Sequence, residues 1–236
     1  MLKRVSPVSE DGAMVRIADA KAPAPFVSGL EYGAPARGVW NIVHVGMLIP
    51  GAHEIYVCAG HCLRGVVLTA VEMGAQRRFS TITIKENNVL DGDMERLLID
   101  GVTDILTRLP SLPPAVLVYT SCIHHFLGCD LALCYRELRS RFPGVDFTDC
   151  YMNPILRKSG LPPDQLMRKQ LYSLLKPRAQ DAGVNILGNC FETDETSELV
   201  KIIRLAKRPL RDITQCRTYE DYQQMAASTL HIAYNP

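Results

Sequence analysis

The chain has 236 residues, enough for one large domain or one and a half smaller ones. Hydrophobic residues make up 47% of it, ample for a buried core, and a net charge of +1 excludes a broad electrostatic footprint for nucleic acid. No stretch approaches the ~20 apolar residues of a membrane span. Met1 to Pro25 lacks the continuous apolar core of a signal peptide, so the expected location is the cytoplasm, where eight cysteines do not form structural disulfides.

Residues 1–35 mix charges with Pro and Ala and read as an irregular arm. Strands and helices then alternate. The predicted strands are His53–Val57, Phe79–Ile84, Ala115–Ser121, Val145–Thr148, Val184–Gly188 and Thr229–Tyr234, short and apolar on both faces as buried parallel strands are. A helix is expected over Leu63–Gly74. Met94, Leu97, Leu98, Val102, Ile105 and Leu109 form one helical stripe after the Asp91-Gly92-Asp93 start signal. Leu127, Leu131, Cys134 and Leu138 form a second stripe, and Leu199, Ile202, Ile203 and Leu205 a third. This pattern predicts an α/β fold, a doubly wound, Rossmann-like parallel sheet over 36–180 with the strand ending at Ser121 in its centre. A boundary near Lys176–Gly183 opens a partial second unit over 181–236, read as the start of a truncated domain. The basic cluster Lys207-Arg208-Pro209-Leu210-Arg211 reads as a solvated loop.

Chemistry concentrates in thiols at strand ends, where α/β proteins place their sites. Cys62, in Cys58-x3-Cys62, stands at a strand-to-helix junction, where the helix dipole and free N–H groups favour a thiolate. Cys122 ends the most strand-like segment. Two such thiols at analogous strand ends point to a metal or an iron–sulfur cluster. Cys129 and Cys134 read as helix packing. Cys150, Cys190 and Cys216 read as incidental, although Cys190 ends a strand of the second unit. His61, or one of the pair His124-His125, is a candidate for moving a proton or donating a hydrogen bond beside a cluster. His44 and His53 read as ordinary histidines, and Asp130 as a helix cap. No Gly-x4-Gly-Lys-Ser/Thr loop, Gly-x-Gly-x-x-Gly fingerprint or Gly-x-Ser-x-Gly elbow is present.

Four segments in order resemble the nitrogenase component 1 superfamily, which holds the molybdenum–iron protein subunits, their cofactor-assembly scaffolds and the dark-operative protochlorophyllide reductase subunits. They are Glu31 to Val39, Val57 to Cys62, Glu86 to Gly92, and Thr120-Ser121-Cys122 with Leu127-Gly128-Cys129-Asp130. The resemblance covers about residues 29–236, the N-terminal half of a typical subunit. It implies cluster ligands at Cys62 and Cys122, with a third at Glu31, where the family's first cysteine falls, or at Cys58 in its stead. It implies an iron–sulfur cluster of the [4Fe–4S] type, shared with a homologous component 1 subunit or a second copy of this chain, and an ATP-dependent iron protein as electron donor. The family's catalytic-cofactor cysteine falls near Asn235, so no molybdenum ligand is implied. The expected function is a reductive redox subunit. The alternatives are a non-catalytic scaffold for metallocofactor assembly and a plain α/β domain with structural cysteines.

Overall fold

The computed structural model describes residues 41–152, 161 and 163–233. The chain divides into units Met1–Ala34 and Pro35–Pro236, and every described residue belongs to the second. Its elements are α1 (Asn41–Gly46), β1 (His53–Ala59), α2 (Gly60–Glu72), β2 (Phe79–Ile84), α3 (Glu86–Leu90), α4 (Met94–Arg108), β3 (Ala115–Ser121), α5 (Cys122–Phe126), α6 (Leu131–Arg141), β4 (Asp146–Met152), α7 (Pro163–Ser173), β5 (Asp181–Leu187), α8 (Glu198–Leu205), β6 (Leu210–Asp212), α9 (Tyr219–Gln224) and β7 (Ser228–Ala233).

Two all-parallel sheets result, one with strand order β2-β1-β3-β4 and one with order β6-β5-β7. The first is covered on both faces, which is why β1 and β3 are apolar almost throughout. Ile55, Val57, Val116 and Val118 face α4 and α6, where Leu98, Val102, Leu106, Cys134 and Leu138 meet them. Tyr56, Cys58, Leu117 and Tyr119 belong to the opposite core with Leu63 and Val66 of α2 and Met167 and Leu171 of α7. Each fully buried aliphatic side chain contributes about 1.5–3 kcal/mol of transfer free energy. The fold is therefore the doubly wound, Rossmann-like α/β architecture that the alternation of stripes and strands predicts.

Three local readings need correction. The third stripe is turned: Val200 and Ile203 are buried, while Ile202 and Leu205 are 63% and 81% exposed. Four aliphatics within seven residues cannot all share one face at 3.6 residues per turn. The basic cluster is no simple loop either, because Leu210 and Arg211 enter β6, and the Arg211 guanidinium donates to Asp181 and Ser228. Finally α1, absent from the sequence reading, precedes a turn region whose carbonyls at Met47, Ile49 and Ala52 all accept from Arg78.

The second sheet is fastened to the first through α9. Tyr222 donates to the Leu171 carbonyl, Gln223 spans the Leu174 carbonyl and the Lys176 amide, and Tyr219 donates to Asp146 at 2.7 Å. Tyr222 and Met225 thus enter the same core as Tyr56 and Tyr119.

One acid lies inside that core. Glu54 is fully buried, neither carboxyl oxygen has a hydrogen-bond partner among the described residues, and burial pushes its carboxyl well above the usual range. Gly46 makes room for it, since a Cβ there would overlap both Glu54 Oε1 and Tyr119 Oη. Gly46→Ala is therefore expected to lower stability by about 1–3 kcal/mol, the usual cost of overpacking. Gly144→Ala, with nothing near the added methyl, should stay within about 0.5 kcal/mol of the parent. Urea unfolding midpoints measure both, and equal midpoints for the two variants would contradict the packing described.

Candidate functional site

Strand β1 is followed by α2, which crosses to β2 on one side. Strand β3 is followed by α5 and α6, which lead to β4 on the other. The chain thus leaves these two neighbouring strands in opposite directions, which opens a crevice at their carboxyl ends, the position where open α/β sheets hold ligands. Cys58 is the penultimate residue of β1, Cys62 the third residue of α2, and Cys122 the first residue after β3. Val57 pairs with Thr120, so the parallel register brings Cys58 and Cys122 to the same edge.

The three thiols influence one another. Burial first, then the neighbouring Cys62 and Cys122 thiols, push Cys58 up to about 12. Cys62 is raised by burial and by Cys122. Cys58 is buried at 1% exposure, whereas Cys62 and Cys122 are half-buried. Helix α2 begins at Ala59 with no side-chain cap, so its first amide donors remain available beside Cys62. Raised in this way, the Cys58 and Cys62 thiols are costly to ionise unless a cation neutralises them.

Among the described residues no three His, Cys, Asp or Glu side chains converge on a point that a single ion could occupy. A mononuclear site needs its sulfurs at ~2.3 Å from one centre. An iron–sulfur cluster instead spreads its cysteines over separate irons, and the donor chemistry here, soft thiols only, fits that group. Glu31 lies outside the described residues.

Most of the other sequence candidates separate from this edge. Cys134 and Cys150 are fully buried, and burial followed by the Glu95 carboxylate lifts Cys134 to about 12. Cys129 is partly buried against the core around Ile55 and Val57. The Cys216 thiol donates to the Asp212 carbonyl. His124 is buried beside Cys122. Its Nδ1 accepts from the Ser121 amide at 3.2 Å and burial lowers its pKa, so the ring is neutral with its proton on Nε2. His125 and His61 are exposed. His53 bonds Ser80 Oγ at 2.8 Å, and burial with the nearby Arg78 charge lowers it to about 4. His44 is lowered by burial. Asp130 caps α6 by accepting from the Leu133 amide at 2.8 Å.

The sequence reading missed a second crevice. In the small sheet β5 leads to β6 on one side while β7 lies on the other, and a cavity of about 410 Å³ opens at the carboxyl ends of β5 and β7. Ile186, Phe191, Leu199, Ile232 and Ala233 make it chiefly apolar, and Cys190 lies in its wall. Asp212 organises its loop by accepting from Asn189 Nδ2 at 2.8 and 2.9 Å and from Thr193 Oγ1 at 3.1 Å, and Asn189 Oδ1 is buried without a partner among the described residues. The signal in the sequence was Gly188-Asn189-Cys190-Phe191 directly after an apolar strand.

Exposure and charge set an order of thiol reactivity. Limited treatment of the metal-free protein with a maleimide, read by peptide mass spectrometry, should label Cys62 and Cys122 well before Cys58, Cys134 and Cys150. First labelling of Cys58 would contradict the geometry.

No protein-family model matches the sequence, and no curated protein matches it. Solved structures that share the fold include two of nitrogenase Cp1. One is nitrogenase Cp1 at pH 6.5, with a TM-score of 0.60 at 13% identity over 84% of this chain and 48% of that one. The other is nitrogenase Cp1 at pH 5, with a TM-score of 0.61 at 16% identity over 84% and 43%. The chain spans less than half the length of either, and its α/β architecture is similar to the corresponding part of nitrogenase Cp1.

Proposed function

We propose that this chain is a nitrogenase component 1-like redox subunit that holds an iron–sulfur cluster at the β1–β3 edge. The observation that carries the reading is the convergence of Cys58, Cys62 and Cys122 on the switch point of a sheet similar to that of nitrogenase Cp1. Such a cluster supplies one-electron storage. In this reading Cys62 and Cys122, the two half-buried thiols, bind iron, and either Cys58 or Glu31 adds a third protein ligand. The α2 amides stabilise negative charge at Cys62, and neutral His124 orients the turn that presents Cys122. Three ligands leave a [4Fe–4S] cluster one short, which favours completion by a second copy of this chain or a homologous subunit. An ATP-dependent iron protein is the proposed electron source and the cytoplasm the proposed location. The apolar cavity at β5 and β7 is the proposed place for an organic substrate that offers a hydrogen-bond donor to Asn189 Oδ1.

Anaerobic reconstitution with ferrous iron and sulfide tests the reading. The parent protein should become coloured and bind iron and acid-labile sulfide in equal amounts, while Cys62→Ala and Cys122→Ala lose most of both. Cys134→Ala should retain iron, since that thiol packs in the core. Iron loss in Cys134→Ala with full loading of Cys122→Ala would overturn the ligand assignment. Iron binding without turnover, in the presence of a reductase partner, would favour the scaffold role over the catalytic one.

A further inference from the structure

Glu54 plays no part in the chemistry assigned so far, yet its surroundings are specific. It shares one face of β1 with Tyr56 and Cys58 and is completely buried. Tyr56 stacks flat on Tyr119 of β3, centroids 4.1 Å apart at 3°, and on Phe79 of β2 at 5.0 Å. Tyr119 donates to the Ile42 carbonyl at 3.1 Å, and Glu54 Oε1 and Tyr119 Oη crowd the same point above Gly46.

The titratable and charged groups around the carboxyl are few. Strand β1 itself contributes Tyr56, β3 contributes Tyr119, and β4 contributes Cys150. The turn before β2 contributes Arg78, whose guanidinium donates to the carbonyls of Met47, Ile49 and Ala52 rather than to Glu54. Helix α1 presents Gly46, and α7, packed on α1, places Met167 against the Tyr119 hydroxyl with the buried Arg168 next to it in sequence. Among the described residues, then, Glu54 has no ion pair, and both its oxygens and the Tyr56 hydroxyl have no partner. A buried acid without a counter-ion keeps its proton, and a change of charge nearby is what releases or recaptures it.

We propose that Glu54 is a redox-linked proton site for the thiol edge. It binds one proton when negative charge is added there and returns that proton when the charge is withdrawn. The proposal rests on the cluster reading above. Glu54 lies four residues from Cys58, about 13 Å at the rise of an extended strand. At that range, with an effective dielectric constant of ~20, one unit of charge alters proton affinity by about tenfold. As one electron enters at the thiol edge from a one-electron reductant such as dithionite, the Glu54 carboxylate takes one proton from water and forms its O–H bond. On oxidation that bond breaks and the proton returns to solvent. Uptake and release occur above the ordinary carboxyl range, since burial raises this acid.

Redox titration of the iron-loaded protein across pH tests this. The midpoint potential of the parent should fall with rising pH over a window about one unit wide above the ordinary carboxyl range, matching the tenfold coupling, and be flat on either side. Glu54→Gln, which keeps the shape of the neutral acid, should be flat throughout, while Glu137→Gln, an exposed acid paired with Arg141, should keep the parent slope. In metal-free protein at a pH below that window, the infrared C=O band of a buried protonated carboxyl should be present in the parent and absent in Glu54→Gln. A flat parent titration, an unchanged slope in Glu54→Gln or a missing carboxyl band would overturn the proposal while the cluster reading stands. Failure of the parent to bind iron would overturn both.

Discussion

The parallel pairing of β1 with β3 is the constraint on which the rest of the molecule depends. These two strands are buried on both faces, so a one-residue slip would carry every side chain into the opposite core and break the packing of both. Because their crossovers depart in opposite directions, pairing them also creates the crevice at their carboxyl ends. The Cys58–Cys62 pair and Cys122, about 60 residues further on, are brought to one end of the sheet by backbone hydrogen bonds between two strands. The site needs no dedicated loop scaffold.

The same face that brings Cys58 to the edge carries Tyr56 and Glu54 into the interior. Glu54 shows the cost of that arrangement. The folded chain keeps its proton on this carboxyl where the unfolded chain releases it, so its contribution favours folding most at low pH and weakens as pH rises past the ordinary carboxyl range. A neutral amide or an aliphatic of similar size would avoid the loss. The core nonetheless accommodates the acid through Gly46, the smallest possible residue at the point of contact.

Much of this was legible in the sequence, for definite reasons. Phe79–Ile84 and Ala115–Ser121 have the boundaries read from their apolar runs, because Arg77-Arg78 and Pro113-Pro114 punctuate them sharply. Helix α4 follows its Asp93 signal closely. Strand β6 was hidden because only three residues long, with flanking charges that mimic a loop. The orientation of α8 was hidden because periodicity cannot rank Ile202 against Val200 when both are aliphatic, and tertiary contact decides. Cys62 and Cys122 were readable as strand-end thiols, while Cys58 stood there as an alternative to Glu31. The β5–β7 cavity was not readable, since it depends on strand order and on Asp212 reaching across from β6 to Asn189.

The fastening of α9 bears on how the chain acquires its fold. Tyr222 and Met225 complete a core that begins at Ile42, so residues nearly the whole length of the described chain apart must meet before that core is closed. Contacts of such separation fold slowly. During synthesis, the face of β1 bearing Glu54, Tyr56 and Cys58 remains without its last cover until residue 225 has left the ribosome. An apolar nascent sheet face with thiols at its rim is then available to chaperones.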